Sequence, residues 1–209
     1  LNNPVAYLVA QEASVDLSSN AIELRNEFPG EVKIDLIAKS LENTWFADEF
    51  PAESIRVPLS SSGDTFAILR SSESSVSLLG IASEQAGHTL LHYQSPIDLY
   101  RFPMQVGSAW SSTSAVIGTL ASVPYNGTDA YETTVESISS VALPHLQFTS
   151  AYRVRTIITS DSGAAGVVVT RQQISMLSEC FGEITRIVSR DNESASNFTT
   201  AAELWRFSL

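Results

Sequence analysis

Apolar and polar residues alternate along most of this chain, which is the pattern of strands with one buried face. In "EVKIDLIAKS", Val32, Ile34, Leu36 and Ala38 fall on one side, with Lys33, Asp35 and Lys39 on the other. "AYETTVESIS" sets Tyr131, Thr133 and Val135 against Glu132, Thr134 and Glu136. "SAYRVRTIIT" puts Tyr152, Val154, Thr156 and Ile158 on one face. Further strands are expected at "SIRVPLS", "TFAILRS", "VSLLGIAS", "HTLLHYQ", "VVVTRQQISM" and "ELWRFSL", with Pro58 marking an edge or a strand end. "SSSGD", "SESS" and "SDSGAAG" are turns between them. Turn signals spaced by roughly 8–12 residues indicate an antiparallel sandwich, half-barrel or barrel. The expected fold is therefore all-β, a curved antiparallel sheet, half-barrel or β-sandwich, with room for one or two short helices.

Four local features refine this picture. Gln11 to Gly30 is the expected helix, its start capped by the Ser and Asn residues of "SSNAIELRNEF". Asn126-Gly127 is the strongest hairpin signal, because both residues tolerate the positive φ of a type I′ turn. "SPIDLYRFP", bracketed by Pro96 and Pro103, predicts an extended crossover joining two sequence halves, 1–95 and 96–209, of a single domain. "SMLSECFGEITRIVSRD" is ambiguous. Leu177, Cys180, Phe181, Ile184, Ile187 and Val188 fall at helix spacing. The central Gly182 and the β-branched run instead favour a strand that turns at Cys180-Phe181-Gly182 and returns as "EITRIVS".

At 209 residues and 44% apolar content, the chain can bury a substantial core. Charged residues make up only 17%, and Ser and Thr carry much of the surface polarity. The net charge of −11 opposes a phosphate-binding surface, so nucleic acid is excluded as an expected partner. Arg153 and Arg155 alternate on one strand, where Glu132 and Glu136 of a neighbour can balance them. One cysteine rules out an internal disulfide. Cysteine avoidance, only two lysines and an acidic, Ser-rich surface together look exported. No stretch of ~18 apolar residues is present to span a bilayer, which leaves an N-terminal lipid anchor outside this sequence as the route to a membrane. Sequons at Asn126, Asn192 and Asn197 are expected by chance at this Ser and Thr content.

Three pieces of the second half resemble exported bacterial domains of unknown function, akin to lipoprotein-carrier-type half-barrels. "FPMQVGSAW" is similar to their Pro-x-x-x-Gly-x-x-Trp entry, here Pro103, Gly107 and Trp110. "VALPHLQFTSAYRVR" resembles a strand, a Pro-containing corner, then Phe148 and a strand. "SMLSECFGEITR" resembles a strand ending in a glycine turn, with Cys180 where such domains often carry an earlier glycine. The likeness covers about Asp98 to Leu209. It implies a curved antiparallel sheet, export, and in some members a lipid anchor or an apolar pocket. It also implies the hairpin at Gly182, which becomes the expectation for that stretch.

No catalytic motif stands out. Cys180 as nucleophile needs a base, and His88, His92 and His145 are all remote in sequence. A structural thiol is the expectation. "HTLLH" has zinc-helix spacing, but Thr89 stands where the catalytic glutamate belongs. On a strand, residues four apart lie about 13 Å from each other and cannot share a metal. Glu42, Asp48, Glu49 and Glu53 are a candidate carboxylate cluster, with a solvated acidic loop as the ordinary reading. "DSGAAG" and "SRDNES" match no EF-hand loop. Trp45, Trp110, Trp205, Phe102, Phe148, Phe181 and Phe207 either line a ligand cavity or fill a core. The expectation is a non-enzymatic exported bacterial protein that binds an apolar ligand or a cell-envelope partner, without cofactor, metal or catalytic residues. The alternatives are a hydrolase assembled from dispersed carboxylates or histidines, and an adhesion or assembly module.

Overall fold

The computed structural model describes residues 4–59, 63–163 and 166–209. The strands are β1 (Val5–Ser14), β2 (Ala21–Glu23), β3 (Val32–Leu36), β4 (Lys39–Ser40), β5 (Ile55–Pro58), β6 (Thr65–Ser71), β7 (Ser75–Ser83) and β8 (Leu90–Arg101). They continue as β9 (Ala109–Leu120), β10 (Val123–Ala142), β11 (Gln147–Asp161), β12 (Val168–Ser178), β13 (Gly182–Ser189) and β14 (Thr200–Ser208). From β5 to β14 each strand pairs with the next, giving an unbroken antiparallel meander. Then β1 pairs with β14, β3 with β1, and β4 with β5 at the far end. The result is one curved sheet that is not closed into a barrel. The alternation read from the sequence is what this architecture requires, since one face of each strand points into the curve.

The curvature is strong. β8 and β13 are five strands apart in the sheet, roughly 24 Å on a flat surface at ~4.8 Å per strand. Yet Tyr100 of β8 donates a hydrogen bond to the Glu183 carboxylate of β13 at 3.0 Å. The edges also approach each other. β3 pairs with β1 through Val32 to Leu36, and three residues later Lys39 pairs with Arg56 of β5. Three residues reach at most about 11 Å, so one short run of chain bridges the two ends of the sheet. Among the described residues no backbone pairing joins β3 to β5, and a seam remains between them.

Two straps cover the outer face. Residues 15–28 lie over β10–β14 and β1, where Val15, Leu17, Ile22 and Leu24 pack onto Ile174, Met176, Ile187 and Leu204. Residues 41–50 lie over β6–β8, where Leu41, Phe46 and Phe50 pack onto Phe66, Ile68 and Leu79. Two buried arginines pin the first strap. Arg153 donates to the carbonyls of Leu17 and Ser19. Arg206, with no exposed surface, donates to the carbonyls of Leu24 and Asn26 and pairs with Glu31.

Three expectations are corrected. Gln11–Gly30 is not a helix. It is the end of β1, an extended strap, and β2, which pairs in parallel with β10. The supposed caps make turns instead, with Ser18 bonded to Asp16 and the Ala21 amide to Ser19. Asn126-Gly127 is not a turn but lies inside β10, opposite Ile117 and Val116. The two-residue turn sits at Ala121-Ser122, both at positive φ, as a type I′ hairpin demands. Gly127 serves a close approach, since a Cβ there would lie 2.6 Å from the Asp161 carbonyl. Finally, Ser95–Arg101 is no crossover but the second part of β8, with the ladder to β7 irregular between Leu78 and Gly80.

The hairpin at Gly182 is present: β12 and β13 pair through Ser178 and Gly182 around a turn at residues 179–181. The turn puts Cys180 at φ 68°, a conformation glycine adopts more readily. Pro58 ends β5, as its place in the pattern predicts. One turn of 3-10 helix spans Ala47–Glu49. Of the turns expected from sequence, Ser60–Ser62 of "SSSGD" and Ala164–Ala165 of "SDSGAAG" lie outside the described residues.

Candidate functional site

The concave face encloses a cavity of about 330 Å³, within the range of small-molecule sites. Its apolar part comes from β5 to β8, with Leu69, Val76, Leu78 and Leu99 as the main surfaces. Leu36 of β3, Val57 and Pro58 of β5 and Leu59 just after it also line it, so the cavity reaches the seam between the sheet's ends. Leu59 is exposed there, which makes the seam its apolar rim.

Across the cavity stands a polar wall built by β1, β8, β12 and β13. Glu183 is its centre. Its carboxylate accepts from Ser175 Oγ at 2.6 Å, from Tyr100 at 3.0 Å and from Arg186 Nε at 3.1 Å, while Arg186 Nη2 bonds its second oxygen. Tyr7 donates to the Glu183 main-chain carbonyl at 2.6 Å. Arg186 lies over the Trp205 ring, 5.7 Å from its centroid. Gln173 completes the wall, donating to Ser175 at 3.0 Å.

A β-bulge makes this cluster possible. Residues three apart on a regular strand face opposite sides. The β12–β13 ladder slips between Met176 and Leu177, which oppose Thr185 and Glu183 respectively, so Ile184 is the extra residue. Glu183 and Arg186 thereby face the same cavity, while Ile184 and Thr185 are both fully buried.

The electrostatics follow from low solvation. Burial pushes the Tyr7 hydroxyl up to about 12, and the Glu183 carboxylate adds to it. Burial and Glu183 raise Tyr100 in the same sense. Burial opposes the charge on Arg186, but the adjoining Glu183 carboxylate outweighs it and holds the guanidinium firmly protonated. Deeper on the concave face, Tyr93 donates to the buried Asp129 at 2.5 Å. Tyr131, which also lines the cavity, is raised to about 12 by burial and by Asp129.

The residues singled out from the sequence lie elsewhere. His88 stacks on Trp45 at 4.3 Å and His92 on Phe50 at 4.9 Å, both against the outer strap. His92 Nε2 is 3.6 Å from Glu49, while Glu42, Asp48 and Glu53 are exposed on that strap or just beyond it. His145 is exposed in the β10–β11 turn. Cys180 is exposed and free, with no histidine beside it in sequence or strand pairing. Arg153 and Arg155 both pair with Glu136, as expected, whereas Glu132 stays exposed. Asp191 of "SRDNES" pairs with Arg171.

None of the seven candidate aromatics lines the cavity. Trp110 and Trp205 are buried on the concave face, with the Trp110 indole bonded to the Asp98 carbonyl. Phe148, Phe181 and Phe207 form an edge-to-face chain at the β12–β13 turn. Trp45 and Phe102 are exposed. The lining is aliphatic and tyrosine-bearing instead. Sequence reasoning missed Tyr7, Tyr100, Glu183 and Arg186, since their grouping depends on the bulge and on the curl of the sheet. No family model matches the chain, and no curated protein or solved structure matches it either.

Proposed function

We propose that this protein is a non-enzymatic binding protein that holds an apolar or amphipathic small molecule in its concave cavity. The observation that carries this reading is the 330 Å³ cavity, aliphatic on one side and hydrogen-bonding on the other, reaching an apolar rim at an unpaired seam. Apolar walls supply the affinity, and a few fixed polar groups supply orientation. The same cavity argues against a hydrolase. Among the described lining residues the one carboxylate is tied up with the one guanidinium, no histidine lines the cavity, and the tyrosines are pushed away from neutral pKa values.

An exported bacterial location, with a lipid anchor beyond this sequence, belongs to the same reading. It draws support from the acidic, lysine-poor, Ser-rich surface and from the resemblance of the second half to exported half-barrel domains. An adhesion or assembly role has one observation in its favour, the unpaired outer edge of β3. Lys33 and Asp35 along that edge guard it against strand addition. A nucleic-acid partner remains excluded from the reading by the net charge of −11.

Native mass spectrometry of freshly purified protein tests the proposal. Extra mass that disappears on denaturation and extracts into organic solvent supports it and gives the ligand's class. A clean apo mass, together with no uptake of a neutral apolar dye, would falsify it.

A further inference from the structure

The polar wall carries more information than the presence of a cavity. Among the described residues lining it, Arg186 is the one cation and Glu183 the one anion. Their charges cancel through two direct contacts. The bonds still on offer come from a wall whose net charge is zero. Arg186 Nη1 has no hydrogen-bond partner among the described residues, and Gln173 uses one of its amide hydrogens on Ser175, leaving its carbonyl oxygen unused. The Tyr7 hydroxyl spends its proton on the Glu183 carbonyl and keeps lone pairs to accept with, while the Tyr100 hydroxyl bonds the Glu183 carboxylate and also lies 3.3 Å from Ser175 Oγ.

We propose that the cavity selects amphiphiles whose head is uncharged and accepts hydrogen bonds, of the acylglycerol or ester class, over those ending in a carboxylate. This rests on the ligand-binding reading above. A carboxylate placed here meets Glu183 across a poorly solvated space with no spare cation, and like charges so placed repel strongly. An ammonium head meets the same difficulty at Arg186. A glycerol or ester head instead takes donors from Arg186 and Gln173 and gives its own hydroxyl protons to the tyrosines, while its chain lies against Leu69, Leu78 and Leu99.

The test is displacement of the neutral dye Nile red by monodecanoylglycerol and by decanoate, in the wild type, in Glu183→Gln, and in Glu183→Gln with Arg186→Gln. The double variant removes both charges and sets the baseline, because it reports the bare difference in partition between the two ligands. The wild type should prefer monodecanoylglycerol by about tenfold more than that baseline. Glu183→Gln leaves Arg186 uncompensated and should shift preference towards decanoate by about tenfold relative to the baseline. Should Glu183→Gln fail to fold by circular dichroism, wild type against double variant still decides. A wild-type preference no larger than the baseline overturns the inference while leaving ligand binding intact. Failure of Nile red to bind at all overturns the proposed function, and the inference with it.

Discussion

Replacing Arg206 with methionine should weaken the hold of the first strap on the sheet at a calculable cost. Arg206 is fully buried, and its partner Glu31 keeps only 10% of its side-chain surface exposed. The guanidinium donates to Glu31 Oε1 at 2.9 Å, to the Asn26 carbonyl at 2.9 Å and to the Leu24 carbonyl, and lies 4.9 Å over the Phe28 ring. Methionine fills much of the volume, so the loss is electrostatic. Removing one partner of a buried pair costs about 3–5 kcal/mol, and each buried carbonyl left without a donor costs a further ~1–3 kcal/mol. These terms do not add, because Arg25 and Asn26 are exposed and water can reach the strap once it loosens. We therefore expect a loss of about 4 kcal/mol, equivalent to a fall of roughly 8–16 °C in Tm for a chain of this size. Urea denaturation should show a lower midpoint with an unchanged slope. Glu31→Gln combined with Arg206→Met should recover about 2 kcal/mol relative to the sum of the single changes. A loss below about 1 kcal/mol, or strict additivity in that cycle, would refute the assignment of Arg206 as the strap's anchor.

Leu69→Trp places an indole in the cavity; dye affinity should fall at least tenfold while stability changes by less than about 1 kcal/mol, whereas unchanged affinity would move the site elsewhere. Cys180→Gly relieves a left-handed residue in the β12–β13 turn, and should raise stability by about 0.5–1 kcal/mol after glycine's greater unfolded-state entropy is deducted. A destabilised variant would show that the thiol makes a contact worth more than the strain. Tyr7 and Tyr131, both raised to about 12, hold their protons in the folded state at pH values where the unfolded chain loses them. Stability from these groups is thus complete below about pH 10 and is lost as pH rises towards 12, by up to about 1.4 kcal/mol per unit for each tyrosine. Phenolate absorbance should accordingly lag behind that of denatured protein over this interval; superimposed titrations would mean the tyrosines are solvated.

Much of the fold was legible because a strand with one buried face must alternate. Thr133 and Val135 are buried and Glu132 exposed, as the period-two pattern demands. The end of β1 and the first strap carried the same signal: Ala13, Val15 and Leu17 alternate with polar residues and are all buried, as are Ile22 and Leu24. That spacing argued for extended chain more strongly than the Ser and Asn residues argued for helix caps. Asn126-Gly127 misled for a different reason. Local turn preference is worth little against a long ladder, and β9 and β10 stay paired through both residues to a turn four positions earlier in the chain.

What the amino-acid order determined by itself was the class of the protein: alternating strands, short turns, and an acidic surface poor in lysine, with Met176 to Arg190 left between helix and hairpin. Those are properties of neighbours along the chain, and neighbours a few residues apart suffice to express them. The site belongs to the tertiary structure. Tyr7, Tyr100 and Glu183 come from strands spread along the whole chain, and they meet because the sheet curls until β8 faces β13. Glu183 and Arg186 share a face because one extra residue at Ile184 shifts the ladder by half a repeat. Curl and register are set by the packing of the entire sheet and its two straps, and no local run of residues encodes either.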